Sequence, residues 1–186
     1  MYDRVHLGYA DTIKSAKKML ERFSVFHQKS LSDNNRTVAG VEKSFEITVG
    51  RALIRGNVDR IEVDSDGKHY IIDFKTGKKE ISGDDAKTNL QLACYQLGVV
   101  LDCFDEKLKS TDVTGAQLVY LASKNKSYST REQGALVDVE TTTAILEEIA
   151  VGMGDATFTA RKNDMCKQCK VKPSCPLYLE GKVVHQ

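Results

Sequence analysis

A chain of 186 residues, with 41% hydrophobic and 28% charged residues, has the length and composition of one globular domain with a small appendage. Lys and Arg number 27 against 26 Asp and Glu, for a formal net charge of +1, so any basic surface for a nucleic acid must be local. No apolar run approaches the roughly 20 residues of a membrane helix, and the sequence MYDRVHLGYA lacks a signal-peptide core. These features predict a cytoplasmic protein with no membrane partner.

The first half of the chain is predicted to form one helix and then an antiparallel meander. Apolar side chains at helical spacing indicate a helix over residues 8–29, and turn-forming residues follow it as far as Thr37. β-branched residues and partial alternation then predict strands over residues 38–49, 51–63 and 69–75, joined by a turn at Gly50 and by the hairpin sequence DSDGK.

The second half is predicted to alternate between helices and strands. A helix from Asp85 to about Asp102 is apolar almost all round, which implies burial, and Ser82, Asp84 or Asp85 could cap it. The remaining elements are a strand over residues 115–122, a short strand near 134–139 and a helix over 141–161 that Gly152 and Gly154 weaken. This order predicts an α/β sandwich with a mixed central sheet.

Two acidic residues and a lysine form the candidate centre. Asp73 and Lys75 are two residues apart on a predicted strand, so both side chains leave the same face of the sheet. Asp59 lies about as far before the hairpin turn as Asp73 lies after it, so strand pairing should bring the two carboxylates together. Carboxylate oxygens suit Mg²⁺ or Mn²⁺, which can activate water and offset charge on a phosphate. Lys75 would steady developing negative charge or place the attacking water.

Three further residues fit this centre. Gln91 and Tyr95 are four residues apart and share one face of the predicted helix, from which they could reach a phosphate or orient Lys75. Gly56 removes a side chain where a large ligand could approach the backbone. A bare D-x-K is common on solvated strand faces as an ion pair, so only the combination of these residues indicates chemistry.

The strings GNVDRIE, IIDFKTG and QLACY occur in this order between residues 56 and 95. They resemble the RecB/AddB branch of the PD-(D/E)XK nuclease superfamily, whose pattern is G-x-x-D-R, a variable hairpin, D-x-K-T-G and then Q-x-x-x-Y. The resemblance covers roughly residues 40–180 and is greatest to the C-terminal nuclease domain of actinobacterial UvrD-like or Adn-type helicase–nucleases. It implies a restriction-endonuclease-like α/β/α sandwich with a mixed central sheet and a C-terminal cysteine-rich loop.

The resemblance also implies a function and a set of site residues. The implied activity is that of a Mg²⁺- or Mn²⁺-dependent deoxyribonuclease, an exonuclease rather than an endonuclease, acting with a helicase domain in DNA double-strand break repair. The metal ligands would be Asp59, Asp73 and the backbone carbonyl of Phe74, with Lys75 catalytic and Gln91 and Tyr95 supporting. Local basic residues would line the scissile strand, namely Lys75, Lys78, Lys79 and Lys87.

The sequence departs from the family pattern at its histidine. Family members usually carry a catalytic histidine in a G-x-x-x-H setting before the G-x-x-D-R strand. His6 lacks that setting, and His27 falls on the apolar side of its helix, which is typical of a packed histidine. Glu42 and Glu46 are alternative acidic ligands, although alternating polar positions on a half-exposed strand also explain them.

Three cysteines near the C-terminus suggest a second metal site. Cys166, Cys169 and Cys175 have the spacing C-x₂-C-x₅-C, which suits a soft metal or an iron–sulfur cluster. Such sites usually have four protein ligands. Relatives with an iron–sulfur staple take the fourth cysteine from the N-terminal side, but no cysteine here precedes Cys94. His185 is a weak candidate for the fourth ligand, and Cys94 and Cys103 are predicted to be core residues.

The missing histidine and the missing cysteine suggest that this chain is a fragment of a larger nuclease domain. In that case a [4Fe-4S] cluster would be complete only in the full-length protein. The predicted division is a nuclease core over residues 1–163 and a cysteine-rich segment over residues 164–186 packed on it.

Three other functions remain open on the sequence alone. One is a catalytically inactive nuclease-fold module that binds DNA or braces a complex. Another is a stand-alone nuclease of the CRISPR-adaptation type, which should have its own histidine and fourth cysteine. The last is a small zinc-binding adaptor whose acidic strand face is merely solvated.

Overall fold

Five strands and four α-helices make up the main part of the fold. The computed structural model describes residues 3–32, 34–105, 108–156 and 159–178. The helices are α1 (Asp3–Ser32), α2 (Gly83–Lys87), α3 (Leu90–Val100) and α4 (Val139–Gly154). The strands are β1 (Thr37–Val49), β2 (Ala52–Val63), β3 (His69–Lys75), β4 (Val113–Tyr120) and β5 (Ser129–Gly134). Two short 3₁₀ helices follow, Asp164–Gln168 and Lys172–Ser174.

The strands form one mixed sheet in the order β1-β2-β3-β4-β5. β1, β2 and β3 are an antiparallel meander, β3 and β4 are parallel, and β5 is antiparallel to β4. The predicted hairpin turn is confirmed: the Asp64 carboxylate accepts from the backbone of Asp66 and Lys68, and Gly67 has a φ of +79°. The predicted meander and mixed sheet are therefore confirmed.

Helix α1 covers one face of the sheet. Its buried Phe26 and partly buried Met19 and Phe23 pack against an apolar cluster from β3, β4 and the segment after β4, namely Tyr70, Ile72, Phe74, Val119, Leu121 and Tyr128. Burial of these side chains, at roughly 25 cal/mol for each Å² of apolar surface, holds the helix in place.

Helices α3 and α4 cover the opposite face. Buried residues of α3, such as Leu92 and Leu97, and Leu146 of α4 belong to the larger core cluster with strand residues such as Ile61 and Ile71. The sheet thus lies between two helical layers, and the predicted restriction-endonuclease-like sandwich is confirmed. In the part of the chain that the structure describes, no helix is long and apolar enough to cross a membrane.

The single helix predicted from Asp85 to Asp102 is wrong, because two helices occupy this segment. Ser82 caps α2 through a capping box with Asp85. Asn89 then caps α3, its side chain accepting from the backbone N–H of Leu92 at 3.0 Å. An N-cap residue has non-helical backbone angles, so the helix before Asn89 cannot continue through it into α3.

Two boundaries near the C-terminus also differ from the prediction. The last strand is residues 129–134, not 134–139, because Asp138 is the N-cap of α4 and accepts from the backbone N–H of Thr141 at 2.8 Å. Helix α4 ends at Gly154 and not near Arg161, consistent with the poor helix propensity of Gly152 and Gly154.

The space beside Gly56 is filled by a side chain and not left for a ligand. A Cβ atom built on Gly56 would lie 2.7 Å from the Phe45 ring, which is buried in the larger core. Glycine at this position therefore lets an aromatic side chain pack on the strand, and the prediction that it serves ligand approach is wrong.

His69, at the start of β3, should make stability depend on pH. Its side chain is buried and its Nδ1 has no hydrogen-bond partner. Burial lowers the pKa of His69 below 6.5, although Asp112 and Asp64 oppose the shift. The unfolded chain therefore takes up more protons below about pH 6.5, and the free energy of unfolding falls as the pH drops, by at most about 1.4 kcal/mol per pH unit.

Chemical denaturation at pH 7.5, 6.5 and 5.5 measures this slope. The His69→Gln variant should lose most of the slope in this window. An unchanged slope in that variant would show that His69 is not its source.

Candidate active site

Strands β2 and β3 part beside the predicted carboxylates. The last residues paired in this ladder are Arg60 and Ile72, so the next residues in register are Asp59 and Asp73. Beyond the ladder, the Asp59 Oδ2 accepts from the backbone N–H of Phe74 at 2.7 Å. A side chain thus takes the place of a ladder hydrogen bond, and the predicted juxtaposition of Asp59 and Asp73 is confirmed.

Asp73 and Lys75 form an ion pair at the C-terminal end of β3. The Lys75 Nζ lies 2.7 Å from the Asp73 Oδ2, with the lysine side chain 32% exposed and the aspartate side chain 5% exposed. The ammonium therefore lies at the surface and the carboxylate beneath it. A positive charge thus lies at the entrance to a buried negative one.

Gln91, in the first turn of α3, links the ion pair to the helix. Its Oε1 accepts from the Lys75 Nζ at 2.9 Å. Its Nε2 donates to the Asp73 Oδ1 at 3.1 Å and to the Tyr95 hydroxyl at 2.8 Å. Because an ammonium can only donate, the amide oxygen must face Lys75, and this fixes the amide orientation. The predicted shared face of Gln91 and Tyr95 is confirmed.

Tyr95 completes the network from the core side. Burial raises its pKa to about 12, so the hydroxyl stays protonated. It donates to the Asp73 Oδ1 at 3.3 Å. The Tyr95 ring packs edge-on against Phe45 in the larger core, with ring centroids 5.7 Å apart. The Asp73 Oδ1 thus has two donors that the core holds in place.

The electrostatics of Asp73 suit a cation. Burial raises the pKa of Asp73 and the nearby Asp59 carboxylate raises it further, against the lowering effect of Lys75 and Tyr95. The buried Oδ2 lies 2.7 Å from the ammonium of Lys75, which offsets its charge. Two neighbouring carboxylates, one of them buried and balanced by the Lys75 ammonium, are a fitting environment for a hard divalent cation.

Acidic side chains alone do not complete such a site. Among the described residues there is no group of three or more His, Cys, Asp and Glu side chains that could hold a metal ion. The two carboxylates therefore need oxygen ligands of another kind, either backbone carbonyls or water. Phe74 can offer its backbone to this centre but not its ring. The ring packs against Phe23 and Phe26 on the other side of the sheet.

The predicted DNA-binding lysines have different surroundings. Lys78 and Lys79 are exposed in the loop that follows β3. Lys87, at the end of α2, forms an exposed ion pair with Asp84 at 2.8 Å, which partly offsets its charge. Lys78 and Lys79 therefore present more positive charge near the candidate centre than Lys87 does.

Among the described side chains, neither His27 nor the two candidate glutamates join the carboxylates. Half-buried His27 stacks on Phe23, and its Nδ1 lies 2.8 Å from the Arg60 Nη1. The surroundings of the His6 side chain lie outside the described residues, as does His185. Glu46 pairs with Arg55 at 2.6 Å on the exposed part of the β1–β2 ribbon. Glu42, also on β1, is exposed.

A buried polar network beside the site was not predicted. Glu62 accepts from the Ser30 hydroxyl at 2.6 Å and pairs with Arg60 at 2.5 Å, and Arg60 in turn contacts His27. This network joins the end of α1 to β2. In the sequence, the adjacent Asp59 and Arg60 are a signal for this network. The burial of Glu62 could not be read from the alternation of polar and apolar residues in the strand.

The cysteine segment does not form a metal site in the structure. Cys166, Cys169 and Cys175 are free thiols in a loop with two 3₁₀ turns. Among the described residues, these three thiols do not form a group that could hold a metal ion. Burial raises the pKa of Cys94, which packs with Cys103 against the larger core as predicted.

A comparison with known protein families agrees with this fold. The family model of the PD-(D/E)XK nuclease superfamily matches residues 2–176. The chain belongs to the PD-(D/E)XK nuclease superfamily. It is thus a member of a superfamily of metal-dependent nucleases.

The other comparisons add little to the superfamily assignment. No curated protein matches the chain. Thirteen chains of solved structures match it. One of them, described as the crystal structure of SSO0001, is 22% identical over 90% of this chain and 71% of that chain, with a TM-score of 0.42. A likeness at this level carries no argument about activity.

Substitution of Gln91 tests whether its amide positions Lys75. In Gln91→Leu, Lys75 and Tyr95 lose their shared partner, and we expect kcat for DNA cleavage to fall about 10- to 100-fold with a smaller change in KM. The exposed Gln28 of α1 provides the control substitution Gln28→Leu. Equal losses in both variants, or a loss confined to KM, would contradict a positioning role.

Proposed function

We propose that the protein is a DNA nuclease that hydrolyses phosphodiester bonds with a Mg²⁺ or Mn²⁺ ion held by Asp59 and Asp73. The observation that carries the proposal is the buried carboxylate of Asp73, which lies opposite Asp59 where the two strands part and has the Lys75 ammonium beside it. A structural ion pair between Asp73 and Lys75 has no need for a second carboxylate at this point. The proposed ligands are these two carboxylates and the backbone carbonyl of Phe74.

The remaining residues have distinct proposed roles. Lys75, held at the surface by Gln91, stabilises negative charge on the scissile phosphate and places the attacking water. Tyr95 and Gln91 both donate to the Asp73 Oδ1, so the proposed cation binds at Oδ2, where it would displace the Lys75 ammonium that lies 2.7 Å away. A bound divalent ion supplies charge neutralisation on the phosphate and makes water more acidic. Lys78, Lys79 and Lys87 contact the strand that is cut.

The finer assignment follows the sequence motifs. We infer that the domain is of the RecB/AddB type, works as an exonuclease and acts with a helicase domain in double-strand break repair. The near-neutral net charge of +1 supports this, because a motor domain would supply part of the DNA affinity. The three C-terminal cysteines are proposed as ligands of a [4Fe-4S] cluster only where a longer protein contributes a fourth.

A cleavage assay tests this proposal. End-labelled linear duplex and single-stranded DNA, with a circular single-stranded control, are incubated with the protein in Mg²⁺, Mn²⁺ or EDTA. The expected result is cleavage in either metal and none in EDTA, with the circular substrate spared by an exonuclease. Binding of DNA without cleavage in either metal would favour the inactive nuclease-fold module.

A further inference from the structure

The direction of α1 places its first half beyond the sheet. Ser30, near the end of α1, bonds to Glu62 in β2, whereas Phe23 packs on Phe74 at the C-terminal end of β3. Arg22 reaches the carbonyl of Leu121, just past the C-terminal end of β4. Parallel β3 and β4 end at the same edge, here called the active-site edge. The helix therefore passes this edge as it runs back from Arg22.

Residues 9–20 of α1, here called the α1 extension, project past the active-site edge. All of them are exposed except Met19, which is partly buried. Lys14, Lys18 and Arg22 follow at intervals of four residues and lie along one side of the helix. Lys14 is about 12 Å along the axis from Arg22 at the usual rise per residue. Lys17 lies next to Lys14 on this side.

Arg22 ties the α1 extension to a second basic segment. This buried guanidinium donates to the carbonyls of Leu121 at 2.6 Å and Ser123 at 2.9 Å, and it also donates to the carbonyl of Asn125. The loop it holds carries the exposed Lys124 and Lys126 on either side of Asn125. A buried arginine that bonds only to backbone carbonyls fixes where this loop lies against the helix.

A third basic segment is the loop after β3. It carries the exposed Lys78 and Lys79, and its end is held by Arg131, which donates to the Ile81 carbonyl at 2.8 Å and pairs with Glu80 at 2.9 Å. Residues 9–21, 76–82 and 121–128 together contain seven lysines and three acids, of which Glu80 is paired. Positive charge is therefore concentrated at the active-site edge of a chain whose net charge is only +1.

We propose that the α1 extension and the loop that Arg22 holds form a track for the phosphate backbone of DNA, which carries the part of the strand not yet cut. The inference rests on the proposed function, since it locates the substrate of the same site. Charge complementarity selects this occupant: exposed lysines at regular intervals on a helix suit a polyanion, and one strand presents a phosphate about every 3.4 Å along a duplex axis. The three lysines of the extension span two to three such phosphates.

Exposed apolar side chains on the α1 extension make a protein partner the competing occupant. Tyr9, Ile13 and Leu20 are exposed large side chains of the extension, and Tyr9 and Ile13 line the same surface as Lys14, Lys17 and Lys18. They give DNA bases surfaces to contact, but a protein partner could cover them as well. The test below therefore measures the contribution of the lysines alone.

Binding of labelled DNA in EDTA, where no cleavage occurs, provides the test. The variant K14Q/K17Q/K18Q removes the lysines of the extension. The control K29Q/K68Q/K109Q removes three exposed lysines near the opposite edge, where β3 and β4 begin. Dissociation constants for a 20-nucleotide single strand are measured at several salt concentrations, and for a 6-nucleotide strand at low salt.

The expected result is at least a tenfold weaker affinity of the extension variant for the 20-nucleotide strand. Its salt dependence should fall by about 0.7 in log–log slope for each lysine removed, or roughly 2 in all. The control variant should bind like the original chain, and the 6-nucleotide strand should be bound equally by all three proteins.

Three results overturn the inference. They are equal affinities of the original chain and the extension variant, equal losses in both variants, and no DNA binding by the original chain, in which case the extension serves a protein partner.

Cleavage in Mg²⁺ is scored separately. An extension variant that cuts and binds like the original chain refutes the track and leaves the nuclease intact. Lysine-dependent binding without any cleavage refutes the nuclease and leaves the track.

Discussion

The Asp73→Asn variant should cut DNA at least about a thousandfold more slowly, equivalent to ~4 kcal/mol of barrier. The substitution keeps the shape of the side chain but removes the charge that binds the cation. The amide nitrogen of the introduced asparagine would also face either the donors that now bond to Oδ1 or the ammonium of Lys75. We expect only a small loss of stability from this misplaced nitrogen, because burial raises the pKa of Asp73, so that the ionised carboxylate itself does not stabilise the folded state at neutral pH.

Initial rates of cleavage and thermal unfolding of the same preparations measure both parts of this expectation. Asp66→Asn, at the exposed tip of the β2–β3 hairpin, makes the same chemical change away from the site. It should leave the rate unchanged. A rate for Asp73→Asn within tenfold of the original would refute the proposed role of Asp73, and a large drop in its melting temperature would make the carboxylate structural.

The Lys75→Met variant should lose roughly 100- to 1,000-fold in cleavage rate while it still binds the metal. Lys75 contributes a positive charge at the entrance and no ligand atom, so its removal weakens stabilisation of the phosphate and leaves both carboxylates in place. Its absence also raises the pKa of Asp73 further, so the binding experiment belongs at pH 8.

Single-turnover cleavage and Mn²⁺ titration of this variant separate the two roles. Lys68→Met, on the exposed hairpin near the opposite edge, is the matched control and should cut normally. Loss of both metal binding and cleavage in Lys75→Met would place the lysine in the metal site itself. Normal cleavage would remove it from the mechanism.

The sheet was predictable because its sequence signals are local. The alternation in β1 and β2 and the D-G hairpin at Asp66 fix the register from the turn outward, and that register brings Asp59 next to Asp73. The break at Asn89 was harder to predict, because helix-forming residues lie on both sides and one hydrogen bond from the side chain decides where α3 begins. β5 was misplaced because its sequence, STREQG, has almost no apolar residues.

The site was predictable in its members but not in its detailed contacts. The spacing of Asp73, Lys75, Gln91 and Tyr95 assigns faces of a strand and a helix, and the structure brings these faces together. The contact of Asp59 with the backbone of Phe74 depends on where the strands part, which no pattern of residue types records. The role of Gly56 was missed for a related reason, because it depends on the packing of Phe45 across the ladder.

Calorimetric titration of Mn²⁺ into the protein, beside Asp73→Asn, tests the central claim most directly. We expect binding at one site in the original chain and its loss in the variant, with both proteins equally folded by circular dichroism. Equal binding by the two proteins, or no binding to the original chain, would contradict a metal centre built on Asp59 and Asp73.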